Sequence, residues 1–165
     1  MSVEVHVEWA GETHLVGRIH TAGRAQAVSF EYVADWLGRA DAFAIDPISL
    51  PLRPGAHHSS ILFGAMQDCG PDRWGRILIE RAVRKHVLAS KPYQDLDYVL
   101  ALDDTSRIGA LRFRATADGP FLATHEGKVP PLVQLSTLMN ATDAVHGESE
   151  TASDLRYLLG QGSPL

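Results

Sequence analysis

Cysteine is almost missing from this chain of 165 residues. Cys69 stands alone, which excludes an internal disulfide framework and any cysteine-rich zinc site, and makes a reducing cytoplasm the expected setting. Long hydrophobic runs are missing too. No stretch approaches the ~18 uncharged apolar residues that a membrane span needs. The first nine residues alternate acidic and apolar side chains, with neither the basic leader nor the apolar centre of a signal peptide. The third shortage is of concentrated positive charge. The net charge is −5, and it is unevenly spread: residues 1–64 carry 4 basic and 7 acidic groups, residues 65–116 carry 9 and 7, and residues 117–165 carry 2 and 6. A chain that grips DNA unaided normally has a concentrated basic face, because phosphate neutralisation supplies most non-specific affinity.

What is present describes one soluble globular unit, or one unit with part of a second, because 45% of the residues are hydrophobic and 21% charged. Val3, Val5, Val7 and Trp9 alternate with Glu4, His6 and Glu8 at the two-residue period of a half-buried strand. After a turn at 10–13, residues 14–20 read as a return strand. Val28, Phe30 and Tyr32 then repeat the alternation, so the amino-terminal part is expected to be a three-stranded antiparallel meander. Asp35, Trp36 and Leu37 suggest a short helical turn. Residues 47–55, with three prolines, are expected to be extended or turning.

From Pro71 the period changes to that of a helix. Pro71 suits a first helical turn and Asp72 its positive end, which predicts a long helix over 74–88 that packs on the meander. A shorter helix is expected over 95–102, and a hairpin over 108–116 and 120–124. Leu132, Leu135, Leu138, Met139, Thr142 and Val145 fall at helical spacing. Thr151 with Asp154 resembles a capping box before Leu155, Leu158 and Leu159. The fold class read from this pattern is α+β, a small antiparallel sheet packed by helices.

Candidates for chemistry are sparse. The eight histidines include the adjacent His57 and His58, which in a strand face opposite ways and cannot chelate together. The others are scattered singly, and no metal site and no catalytic residue is expected. Cys69 lies just before a helix start, where the dipole lowers a thiol pKa, but a buried or incidental thiol is the reading adopted. Trp74 reads as an apolar anchor for the long helix and Asp72 as its cap. Arg73, Arg76, Arg81, Arg84 and Lys85 fit an acidic partner surface or a phosphate backbone, and equally a solvated helix with paired charges.

The run from Asp68 to Arg76, with Pro71, Asp72, Trp74 and Gly75, resembles the proline, aspartate, any residue, tryptophan, glycine signature of HipA-type toxin kinases. Three more stretches point the same way in the same order. Residues 43–54 resemble the family's segment leading to a serine, leucine, proline, leucine core, with Ser49, Leu50, Pro51 and Leu52. Residues 97–100 followed by 104–113, with Arg107 and Gly109, resemble its helix and the strand that closes the first subdomain. Residues 160–165, with Gly162 and Ser163, resemble the lead-in to its glycine-rich nucleotide loop.

The resemblance implies a HipA-type amino-terminal subdomain over 1–114, and over 115–165 a hairpin and helices leading into an incomplete kinase-like core. The complete family is a Ser/Thr protein kinase that uses ATP and magnesium and belongs to type II toxin–antitoxin modules. The residues that follow the nucleotide loop in full-length members, with the catalytic and metal-binding groups, do not occur in these 165 residues. Gly162 and Ser163 would then be a partial nucleotide-binding loop only, with Pro71, Asp72, Trp74, Gly75, Arg107 and Gly109 as a structural motif. The chain itself is expected to need no cofactor. The implied partner is a HipB-type antitoxin, or a separate kinase subunit that the chain binds or restrains as a non-enzymatic protein. DNA is expected to be contacted only through the antitoxin.

Overall fold

A computed structural model describes residues 1–21, 27–104, 107–122 and 135–160. The first strand, β1 (Ser2–Trp9), turns through Ala10 and Gly11 into β2 (Glu12–Thr21), and β3 (Val28–Tyr32) completes the expected meander. Both turn residues have positive φ, 53° at Ala10 and 81° at Gly11, the requirement of a two-residue hairpin whose twist matches its strands. The short helix α1 (Ala34–Leu37) follows, then β4 (Ala56–Ser59) and α2 (Gly64–Gln67). Next come α3 (Arg73–Arg84), α4 (Asp95–Ala101) and β5 (Leu111–Arg114), and the described chain ends with α5 (Leu135–His146) and α6 (Ala152–Gly160). This is an α+β fold.

The sheet is wider than the sequence predicts. Its five strands are all antiparallel in the order β4-β3-β2-β1-β5. The four-residue β4 was hidden by its brevity, since four residues hold too few alternations to show a period, and β5, inside the strand expected over 108–116, was not placed against β1. The expected hairpin over 108–124 is corrected accordingly: β5 pairs with β1, Glu4 to Val7 opposite Arg114 to Leu111. Toward the following chain Arg114 bridges Phe121, Phe113 O accepts from Leu122 N at 2.7 Å and Arg114 Nη1 donates to Ala117 O at 2.8 Å, so among the described residues the two arms of the expected hairpin meet there. Residues 123 and 124 lie outside the described residues.

The long helix is corrected in three ways. Pro71 precedes it instead of opening it, and Asp72 is the N-cap, its Oδ1 accepting from Gly75 N at 2.7 Å. The helix ends at Arg84, because His86 adopts a left-handed φ of 56° and Val87 N turns back to Ala82 O. Its apolar side does not cover the meander. The sheet's inner face, with Val3, Val5, Val7, Val16, Ile19, Phe30 and Phe113, is filled by Trp36, Leu50, Leu62, Phe63, Met66, Leu96 and Val99, from α1, α2, α4 and the loops between. Leu78, Ile79 and Ala82 of α3 lie instead in a second cluster with Ala141 and Val145 of α5 and Leu155, Leu158 and Leu159 of α6. The expected capping box is present: Asp154 Oδ2 accepts from Thr151 N at 2.8 Å, and Thr151 Oγ1 accepts from Asp154 N at 3.2 Å.

Residues 46–55 form a pinned loop. Asp46 Oδ1 accepts from Ile48 N and Ser49 N, Leu50 N returns to Asp46 O at 2.7 Å, and Tyr32 Oη donates to Leu50 O at 2.7 Å. Leu50 is thereby driven wholly into the core while Ile48, two residues earlier, is 94% exposed. Among the described residues no helix is long and apolar enough to cross a membrane.

Candidate functional site

The motif residues meet at a seam between the α2–α3 connection and the segment entering β5. Arg107 is its centre. The guanidinium is buried, and Nη2 donates to three carbonyls in a region short of backbone partners: Val99 at 3.2 Å, Leu102 at 3.0 Å and Leu122 at 2.8 Å. Val99 and Leu102 belong to the end of α4, where helix carbonyls are short of donors and Val99 O receives only a long bond from Leu102 N at 3.4 Å, so Arg107 stitches that end to the chain beyond β5. Nη1 donates to Asp104 Oδ1 at 3.1 Å, and the guanidinium carbon sits 4.9 Å from the Phe113 ring centre. Burial pulls the Arg107 pKa below its ordinary value, against the opposing charges of Asp104, Cys69 and Asp103.

Asp104 is the shared anion. Its second oxygen accepts from Arg112, with Nε at 2.9 Å. Arg112 and Arg114 then lie over the Phe121 ring, at 3.7 and 4.0 Å from its centre, and His6 meets the same ring edge-on at 5.3 Å. This sandwich covers the outer face of β1, which explains how Glu4 and His6 come to be buried on the side of the strand that points away from the core. Burial works to raise the Glu4 carboxyl, but hydrogen bonds from Arg18 (2.8 Å) and His6 (3.2 Å), with their charges, outweigh it and hold the pKa below normal. Burial pushes the His6 imidazole down, with the Arg114 and Arg112 charges adding to it.

Cys69 joins the two motif stretches. Its Sγ donates to Ala65 O at 3.2 Å and lies 3.6 Å from where a Cβ at Gly109 would stand. Gly109 has a φ of +92°, a backbone region that a side chain disfavours. Burial pushes the thiol pKa up, the opposite of what a nucleophile needs. Pro71 and Gly75 are buried on the same side of the molecule's α3 entry, and Asp72 is spent on its capping bond.

Trp74 is not fully buried and packs against the helical cluster, so its expected contact with the meander is corrected to one with that cluster. The charged strip of α3 is paired in ways that spacing did not foretell. Arg76 bonds Asp95 at 3.0 Å and lies over the Tyr98 ring, and Arg81 and Lys85 both grip the buried Glu150. Gly162 and Ser163 lie outside the described residues.

The arrangement therefore brings together Cys69, Arg107 and Gly109 and ties Asp72 and Gly75 to the start of α3. Sequence reading missed Asp104, Arg112, Phe121 and Glu4. The one available signal was the alternation of Arg112 and Arg114 about Phe113, which marks the two arginines as sharing one face of a strand. Asp72, Asp104, Arg107 Nη1 and Nη2, and Arg112 are used to hold chain segments together. Among the described residues no group of three or more His, Cys, Asp or Glu is placed to hold a metal.

An α+β scaffold in which a buried arginine and a capped helix organise the motif residues is the class defined by fold and site. The chain belongs to the HipA N-terminal domain family, whose sequence profile matches residues 7–114. A search of curated proteins found no match.

Proposed function

We propose that this chain is the HipA-type component of a type II toxin–antitoxin module and that it works through contact with a protein partner, not through chemistry of its own. The observation that carries the reading is how the family motif is used. Arg107, Gly109, Asp72 and Gly75 are committed to internal bonds and packing, so this part of the family's sequence is a framework that presents surfaces. Phosphoryl transfer requires a phosphate-anchoring cation, a held metal and a positioned base converging on one nucleotide, and no step of that kind is assigned to these residues. ATP and magnesium belong to the complete kinase, with Gly162 and Ser163 as part of its nucleotide loop. In this reading residues 1–114 are the amino-terminal subdomain and residues 115–165 lead toward a kinase-like core.

The partner in this reading is a HipB-type antitoxin in the cytoplasm, which supplies the DNA contact. A net charge of −5 gives this chain little phosphate neutralisation to contribute. The second reading, a small subunit that restrains a separate kinase, draws on the same inward-facing motif. Co-expression with the product of the adjacent antitoxin gene and, separately, with a HipA-type kinase core distinguishes the two by which one co-elutes on size exclusion. The chain alone is expected to shift neither operator-like nor random duplex at ~0.15 M salt and to transfer no phosphate from ATP. Micromolar DNA binding by the chain alone, or phosphate transfer that survives repurification, overturns the proposal.

A further inference from the structure

Histidines that look scattered in the sequence are gathered by the strand register. Ser2 pairs with His20, His20 with Ser29, and Ser29 with His58, so one row of residues crosses β1, β2, β3 and β4. Residues directly opposite one another share a face of the sheet, and for this row it is the outer face. His20 and His58 are exposed, whereas His57, next in sequence, points inward and is buried. Both exposed imidazoles line one open cavity of about 540 Å³, with Thr21, Ser29, Ser59 and Ser60 as its polar neighbours. Two strand spacings, about 9.6 Å, separate their Cα atoms. Two imidazoles turned toward each other over the small Ser29, each with a metal–nitrogen bond of about 2.1 Å, have the reach to span that gap.

We propose that His20 and His58 form a two-imidazole chelate for a borderline divalent transition metal, of which Zn²⁺, Ni²⁺ and Cu²⁺ are the candidates. Neutral imidazole suits these ions, whereas Mg²⁺ and Ca²⁺ demand oxygen donors, and among the described residues no carboxylate lines the cavity. Because no third His, Cys, Asp or Glu among the described residues joins the pair, solvent fills the remaining positions. A structural zinc site is closed by four protein ligands, so this one is an open, exchangeable site. The inference is independent of the toxin–antitoxin reading.

The test is calorimetric titration of the full chain with ZnCl₂ near neutral pH, with circular dichroism confirming that each variant is folded. The expected result is one ion per chain, weakened at least about tenfold by His20→Ala or by His58→Ala and abolished by the double variant. Ser29→Arg, which keeps both imidazoles but puts a cation between them, weakens it as well. His146→Ala, an exposed histidine on α5, leaves it unchanged. No saturable binding by the unaltered chain, or binding that persists in the double variant, overturns the proposal.

Discussion

The two buried clusters are built from different material and relate differently to the family match. The sheet cluster is aromatic, with Phe30, Tyr32, Trp36, Phe63 and Phe113 packed among valines, and Phe30 meets Tyr32 edge-on at 4.9 Å. The helical cluster is almost entirely aliphatic at its centre. Nearly all of the sheet cluster lies within residues 7–114, whereas the helical cluster takes α3 from inside the matched region and α5 and α6 from beyond it. The matched region thus contains nearly all of one core and part of another. An amphipathic helix must bury its apolar side against something, so α3 depends on chain that the match does not include. Glu150 marks this dependence, held by Arg81 at 3.1 Å and Lys85 at 3.2 Å across the two parts.

Trp36 and Trp74 fall in different clusters, so single-tryptophan variants report on each. Phe113→Ala removes a fully buried ring that also underlies Arg107, and is expected to cost about 3 to 5 kcal/mol in urea unfolding read from Trp36. A Trp74 signal that moves in step means the clusters unfold together, and one that stays put means they are separable. Asp104→Asn is expected to cost about 3 kcal/mol, because it removes the carboxylate charge paired directly with the buried Arg107. A loss under about 1 kcal/mol means that the carbonyls of Val99, Leu102 and Leu122 hold the guanidinium unaided. Trp74→Ala, at a half-buried position, is expected to cost only about 1 to 2 kcal/mol, with its effect confined to the helical cluster if the two unfold apart.

Acid sharpens the same contrast. The buried imidazoles, His6 and His57, both belong to the sheet part, and both are held below their ordinary 6.5, first by burial and then by neighbouring arginine charge. Among the described residues the helical cluster buries no histidine. A histidine whose folded pKa is depressed contributes stability that is present above about 6.5 and is lost as pH falls below it toward the folded value. The depressed carboxyls of Glu4 and Glu150 act later, below about 4.5. The sheet is therefore expected to weaken before the helices as pH is lowered from neutrality to about 5, as followed by amide exchange. His57→Gln reduces that early loss, and equal loosening of both parts in this range contradicts it. The smallest effect is local. Ala10→Gly at φ 53° is expected to stabilise the β1–β2 turn by about 0.5 kcal/mol in urea midpoint.

The meander was readable because Val3, Val5, Val7 and Val28, Phe30, Tyr32 alternate over enough residues to show a period, and the capping box at Thr151 because its two ends lie three residues apart. β4 was not, being too short to display alternation, and β5 was readable as part of a strand over 108–116 but not as the partner of β1. Nor was the partner of α3: an apolar stripe states that a helix is covered, not by what. At the seam, Pro71, Asp72, Trp74 and Gly75 could be singled out by local pattern. Asp104 and Phe121 could not, because their roles come from Arg107 and Arg112 reaching them through the fold. The same reason hid the row that joins His20 to His58.

The pairing of β1 with β5 carries a consequence for synthesis. Glu4 to Val7 meets Arg114 to Leu111, so the first strand made waits for one of the last elements of the matched region. At ~5 to 20 residues per second, the inner edge of β1 stays open on the order of ten seconds after β2 has formed on its other side. A strand rich in valine with a bare edge is a template for another nascent chain. Glu4 and Glu8, which alternate with Val3, Val5 and Val7 along β1, border that edge throughout the wait, and charged side chains on a bare strand disfavour its pairing with another chain.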